Sequence, residues 1–353
     1  MKICVYAIAK NEAGFARRWA ESMAEADHIC VLDTGSTDGT PERLEALGAA
    51  VRREVIAPWR FDTARNRSLE LVPEDTDICV CTDLDEVFRP GWRAALEAAW
   101  VPGTQQARYR YLWAPGTSFL QEKIHAPGVF AWHHPVHEVL RRTDGRTVWP
   151  VVRAELVLEH HPDPHKSRGQ YLELLERSVA EDPEDDRNAH YLGREYLFRG
   201  MWDRAIAQLR RHLDLPTAVW RPERCASMRF LSRCFLAKGD PQTALAWALR
   251  AAAECPETRE PWVQAQEAAY ALEDWEGVRW FGRRALAIRE KPEIYINEAR
   301  AWGAYPYDAL AYAEYRLGDL RAALDCTRKA LELDPGSQRL RGNLEWYLRE
   351  VRP

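Results

Sequence analysis

The second half of the chain repeats itself, and this limits its fold more than any other feature. Residues 187–215 (RNAHYLGREYLFRGMWDRAIAQLRRHLDL), 224–256, 259–292 and 307–335 superpose so that Gly200, Gly239, Glu273 and Gly318 coincide. Ala205, Ala244, Val278 and Ala323 then fall five residues later, and a proline stands at or near the end of each unit. Helical periodicity on both sides of the shared point describes a helix, a tight turn and a second helix. A small residue on the second helix lets the pair approach closely, and each unit buries its apolar face only against its neighbours. The expectation is a stack of four helix pairs over roughly residues 183–336, with a capping helix at 337–352. Unit three departs most from the pattern, and longer linkers separate units one from two and three from four.

The first 165 residues have a different texture. Short apolar runs at 2–9 (KICVYAIA), 28–33 (HICVLD), 50–56 (AVRREVI) and 77–83 (DICVCTD) alternate with amphipathic segments, the pattern of parallel strands covered by helices. One helix start is well marked, with Thr40 as N-cap, Pro41 at the first helical position, Glu42 in the first turn and Gly48 beyond the end. The fold class expected is therefore an α/β domain over residues 1–165, with a Rossmann-like, mostly parallel sheet, followed by an all-α helical repeat domain over 166–353. Ligands of such sheets sit outside the carboxyl ends of the strands. The residues there are Lys10-Asn11-Glu12, the segment Asp33 to Thr40, and Asp83-Leu84-Asp85-Glu86.

Composition excludes several classes. With 353 residues and 46% hydrophobic content the chain can bury two cores unaided. Its eight cysteines are scattered through apolar runs, as reduced buried thiols in a cytoplasmic protein would be. Cys79 and Cys81 lack a second pair at zinc spacing. The N-terminal apolar stretch is too short for a signal peptide, and no run reaches the ~20 apolar residues of a membrane span. A net charge of -5 disfavours nucleic acid without excluding a local basic patch such as Arg341 to Arg352. Neither G-x-G-x-x-G after a strand nor G-x-x-x-x-G-K-[ST] is present, so dinucleotide and P-loop chemistry lack their phosphate cradle.

Asp83 and Asp85 are expected to act together, because side chains at i and i+2 share a face of an extended chain. Two such carboxylates suit a hard divalent cation, Mg²⁺ or Mn²⁺, that also takes phosphate oxygens; the plain alternative is a solvated acidic loop. Asp33, with hydroxyls, glycines and a helix start behind it, lies at the same sheet edge. Arg65, in FDTARNRSLE, can reach a phosphate or base there. The four motifs AIAKNE, VLDTGSTDGT, FDTARNRSLE and CTDLDEVF, in this order and spacing, resemble family 2 glycosyltransferases of the GT-A fold. The helical tail resembles tetratricopeptide repeats, a combination found in bacterial glycosyltransferases.

The resemblance implies that Asp83, Leu84 and Asp85 form a D-x-D motif holding metal and donor. It also implies that Asp33 reads the base or ribose in a pocket lined by Ala7 and Ala9, that Asn11 and Glu12 lie beside the donor, and that Arg65 is a basic residue near it. Between residues 121 and 142 stand His125, His133, His134, His137 and Glu138. Glu138 is the expected catalytic base, with Asp144 and Glu122 in reserve; the alternative for Glu138 is a helix cap or an ion pair with Arg141 or Arg142. His160 and His161 follow the last apolar run and offer a metal ligand or a diphosphate contact, or are simply a polar strand exit. The function expected is a metal-dependent, inverting glycosyltransferase using a nucleotide sugar, a UDP-sugar above others, with the repeats binding an acceptor or protein partner. The rival expectation is a non-catalytic repeat scaffold that binds protein or peptide.

Overall fold

The computed structural model describes residues 1–146, 150–163 and 169–351. The domain boundary expected at 165/166 and Arg352 lie outside them. The chain divides into two compact units, Met1–Ser178 and Val179–Pro353.

In the first unit the four apolar runs form β1 (Ile3–Ala9), β2 (His28–Asp33), β3 (Ala50–Arg53) and β4 (Ile78–Cys81), with α1 (Ala16–Met23), α2 (Thr40–Ala46) and α3 (Phe61–Leu69) between them. β1 is buried along its whole length and pairs in parallel with β2 and β4, while β3 extends the sheet from β2. The rest of the unit comprises β5 (Glu86–Phe88), α4 (Trp92–Ala99), β6 (Gln106–Ala114), β7 (Thr117–His125), β8 (Phe130–His133), β9 (Val139–Arg142) and β10 (Val151–His160). Sheet order is β3-β2-β1-β4-β7-β6-β10-β5, and β8 and β9 form a separate two-stranded sheet. Beyond β4 the sheet is mixed: β7 runs antiparallel to β4 and β6, β6 parallel to β10, and β5 antiparallel to β10.

Two local expectations change. The N-cap of α2 is Gly39 in left-handed geometry, φ 81°, and not Thr40. The Thr40 hydroxyl accepts from the Glu12 amide at 2.8 Å and donates to Asp38 at 2.5 Å, so it braces the loops after β1 and β2 against each other. The second change is at the end of β4, which stops at Cys81; Asp83 and Asp85 belong to a tight turn closed by the Glu86 amide donating to the Asp83 carbonyl at 3.0 Å. They do not share the face of an extended strand.

The second unit is helical. Helix α5 (Tyr171–Glu181) runs from the first unit into the second and precedes four pairs: α6 (Asp186–Phe198) with α7 (Trp202–Asp214), α8 (Arg221–Ala237) with α9 (Pro241–Glu254), α10 (Arg259–Ala271) with α11 (Trp275–Ala287), and, after the short α12 (Ala299–Trp302), α13 (Tyr305–Arg316) with α14 (Leu320–Leu333). The last helix is α15 (Gln338–Val351). Gly200, Gly239, Glu273 and Gly318 all adopt left-handed backbone, at φ 70°, 76°, 55° and 85°. Ala205, Ala244, Val278 and Ala323 are fully buried. In units two, three and four the residue after the turn is an aspartate, Asp240, Asp274 or Asp319, whose side chain accepts from the amide three residues on, at Thr243, Gly277 or Ala322.

Unit three therefore makes the turn without glycine, and Glu273 bears the left-handed strain. Its nearest arginine, Arg316, is 3.9 Å away at the surface and contributes little. Glu273→Gly should stabilise the protein by about 1 kcal/mol, read as a higher urea midpoint; an unchanged or lower midpoint would show that the turn is not strained.

Candidate active site

The site is built where β1, β2 and β4 end. Asp33, the last residue of β2, is buried, and its Oδ2 accepts from the amides of Gly35 (3.1 Å) and Ser36 (3.0 Å). Its Oδ1 is buried and has no hydrogen-bond partner among the described residues. Ala7 and Ala9 are buried beside it in β1, and the Ala9 carbonyl accepts from the Thr34 amide at 2.8 Å. Asn11 has left-handed backbone, φ 55°; its amide donates to Ser36 and its side-chain oxygen accepts from the Thr37 amide, both at 2.8 Å. Asn11 and Glu12 thus stitch the first loop to the second.

The turn after β4 is anchored from several sides. The Trp19 indole donates to the Thr82 hydroxyl at 3.0 Å, and Leu84 is buried in the core. Asp83 lies between two cations: Arg65 of α3 donates to its Oδ1 at 2.8 Å and Lys123 of β7 to its Oδ2 at 3.0 Å. Arg65, 4% exposed, also pairs with Glu138, donates to the Cys81 sulfur at 3.3 Å and lies 5.2 Å from the Trp132 ring centre. Glu86, fully buried, accepts from the Asp83 amide at 2.9 Å and from Lys123 at 3.3 Å.

Burial opposes ionisation of every member of this cluster, and the pairings reverse it for three. Desolvation would raise the Asp83 carboxyl, but Arg65 and Lys123 hold it well below the usual carboxylate range. The same burial would lower Lys123 and Arg65, yet the carboxylates beside them keep both firmly charged. Glu86 goes the other way: burial raises it, Lys123 only partly offsets this, and the Asp83 charge adds to the rise. Cys81, in the same apolar wall, is pushed up to about 11 by burial and stays a thiol at neutral pH.

Asp85 leaves the turn on the other side. Register pairing of β10 with β5 sets His160 opposite Glu86, and His160 Nε2 stands 3.4 Å from Asp85 Oδ2. His160 Nδ1 is 3.1 Å from the Trp113 carbonyl, which can only accept, so Nδ1 carries the proton. Trp113 also stacks on the imidazole at 4.2 Å between centroids. Burial lowers the His160 pKa, but the bond to Asp85 outweighs it and the net shift is upward. A neutral His160 directs the Nε2 lone pair at a carboxylate, a pairing completed by either a proton or a cation; a metal-binding histidine held by a carbonyl on its other nitrogen is arranged in the same way. Asp85 and His160 therefore fit a divalent ion, while Asp83 is already balanced. His161 donates its amide to the Asp85 carbonyl at 2.7 Å, and its ring turns to Glu159 at 3.6 Å.

Glu138 ends a strained loop. His134 and His137 have φ 80° and 51°, in the left-handed region that side chains disfavour, a form of strain that clusters at working sites. Asn66 clamps the preceding strand to α3 by bonding both the amide and the carbonyl of Trp132 at 2.8 Å. Glu138 pairs with Arg65, and not with Arg141 or Arg142. The reserve acids are occupied elsewhere, Glu122 with Arg108 and Asp144 with Arg142. His125 lies inside, 2.8 Å from the Tyr6 hydroxyl, and burial pulls it down to about 4.

Residues 4–145 match the model of glycosyl transferase family 2, a span that holds Asp33, Arg65, Asp83, Asp85, Lys123 and Glu138. The N-terminal unit is a family 2 glycosyltransferase domain. Residues 263–351 match the prolyl 4-hydroxylase peptide-substrate-binding domain. Human and bovine prolyl 4-hydroxylase subunit alpha-1 are each 55% identical to the chain over 40 residues, 11% of this chain and 8% of theirs. The chain thus spans under a tenth of these curated relatives. Among solved structures, a thermophilic TPR protein of Thermus thermophilus is 23% identical, with a TM-score of 0.37, over 50% of this chain and 89% of its own. MamA is 16% identical, with a TM-score of 0.39, over 46% and 86% respectively.

Within the glycosyltransferase unit, Lys123 is the site residue that sequence reasoning missed. It belongs to a run, TSFLQEKIH, in which one lysine before a buried Ile-His pair was the only signal. Removing Arg65 strands two carboxylates that lose their main counter-charge. Arg65→Met should destabilise the protein by about 3 kcal/mol, measured by urea denaturation; a loss under about 1 kcal/mol would mean solvent already screens the cluster.

Proposed function

We propose that the glycosyltransferase unit transfers a sugar from a nucleotide-sugar donor, a UDP-sugar above others, to a polypeptide acceptor held by the helical unit. The observation that carries the donor assignment is the unpartnered Asp33 Oδ1. A buried carboxylate oxygen without a donor is costly, and the imide N–H of a uracil supplies one. In this reading Asp85 and His160 hold the divalent cation, which when bound stabilises the charge developing on the diphosphate leaving group. Lys123 and Arg65 neutralise Asp83 in the same region. Glu138 has Oε1 held by Arg65, and its Oε2 accepts the proton of the acceptor nucleophile as the sugar carbon is attacked from the opposite face, giving inversion.

Support for a polypeptide acceptor comes from the peptide-substrate-binding match and from the helical unit itself. A cavity of about 610 Å³ there is lined by aromatic rings such as Phe198 and Phe230 and by Arg194, Arg233 and Arg300, of which Arg233 pairs with Glu298 and Arg300 with Glu267. Arg194 lies over the Tyr191 and Phe198 rings, at 4.4 and 5.8 Å, and has no carboxylate partner among the described residues. Such a pocket suits a peptide offering an acidic group beside an apolar one.

Asp85→Ala should abolish metal-dependent release of nucleoside diphosphate from UDP-sugars; retained release would remove the metal and donor assignment together. Glu138→Gln should leave donor binding intact by calorimetry while lowering kcat by about 100-fold or more, and an unchanged kcat would move the base elsewhere. Arg194→Glu should raise KM for the acceptor and leave slow donor hydrolysis unaltered, whereas an unchanged KM would place acceptor binding away from this cavity.

A further inference from the structure

Helices α6, α7 and α8 bring together three groups that the transfer reaction does not use. Asp186 in the first turn of α6, His212 in the last turn of α7 and Glu223 in the first turn of α8 place one ligand atom each within 4.8 Å of the others. His212 is fully buried, and its Nε2 has no hydrogen-bond partner among the described residues. That atom faces Glu223 Oε1 at 3.6 Å, too far for a hydrogen bond. Two ligands each ~2.1 Å from one tetrahedral ion stand about 3.4 Å apart. The separation matches a shared ion better than a shared proton.

The surroundings agree. Ser227 bridges His190 Nδ1 (2.8 Å) and His212 Nδ1 (2.9 Å). One hydroxyl has one proton, so only one of the two imidazoles receives it and the other must donate its own Nδ1–H. When His212 is that donor, its Nε2 is a bare lone pair aimed at two carboxylates. With the opposite tautomer the Nε2–H faces Glu223 Oε1 at 3.6 Å, beyond hydrogen-bond reach. The Tyr295 hydroxyl donates to the second oxygen of Glu223, which fixes that carboxylate from behind. Among the described residues neither Asp186 nor Glu223 forms an ion pair with lysine or arginine, in contrast to Asp83 with its two direct pairs.

We propose that Asp186, His212 and Glu223 form a divalent-cation site of the zinc type, with water completing the tetrahedron, which ties the first three repeat helices together. One nitrogen and two oxygens suit zinc better than calcium or magnesium, which favour all-oxygen shells. The ion is distinct from the one assigned to Asp85 and His160 and has no part in transfer.

The test uses full-length protein carrying Asp85→Ala, stripped with chelator and titrated with Zn²⁺ alone. One equivalent should bind and raise the unfolding temperature, and Co²⁺ in its place should show the visible absorption of a tetrahedral ion. Adding Asp186→Asn, a half-buried change the fold tolerates more readily than loss of His212, should weaken Zn²⁺ binding at least tenfold, as should His212→Gln where it folds. No bound Zn²⁺ in the Asp85→Ala protein, or equal affinity with and without Asp186→Asn, would overturn the site.

Discussion

The first unit depends on one buried guanidinium. Arg65 cannot shed its charge, so bringing it into the protein requires acids to follow. Asp83 comes from the turn after β4 and Glu138 from the loop between β8 and β9, and each is drawn to the same cation. Asn66, next to Arg65, clamps the β8–β9 hairpin by its backbone at the same time. One turn of α3 thus gathers the turn after β4 and the β8–β9 hairpin, two segments that lie far apart in the chain.

What the sequence disclosed follows from how local each signal is. The strands β1, β2 and β4 were legible because a strand buried on both faces needs a continuous apolar run, whereas β3, AVRR, is an exposed edge. The helix turns were legible because left-handed backbone selects glycine, and Glu273 was recognisable only through the period of its neighbours. The partners of Asp83 were not legible. Lys123 reaches it through the antiparallel register of β7 on β4, and His160 reaches Asp85 through that of β10 on β5. Registers of this kind are set by distant packing and leave no spacing to read. The idea that Asp83 and Asp85 share a face failed for a related reason: the apolar run is a strand only as far as Cys81, and the acids occupy the turn that lets Glu86 return as β5.

The turn separates two carboxylates that the motif writes side by side. Asp83 is neutralised twice, by Arg65 and Lys123, and Asp85 meets only a histidine whose other nitrogen is committed to a carbonyl. Glu86 settles between them as a strut, accepting the amide of Asp83 and part of Lys123. Three acids within four residues therefore have three different environments, set by which strand comes next to each.

The helical unit handles charge by a different rule. Its longest linker, residues 289–298, turns back onto α8, where Glu298 pairs with both Arg229 and Arg233 and Tyr295 holds Glu223. A repeat stack needs only contacts between neighbours, so a linker from between units three and four that bonds to unit two adds a longer-range constraint. It also fills the space between α6, α8 and α10, which shapes the cavity beside Arg194 from both walls. The irregular spacing of the repeats is thus the source of the groove: four evenly spaced units would have no segment to line it.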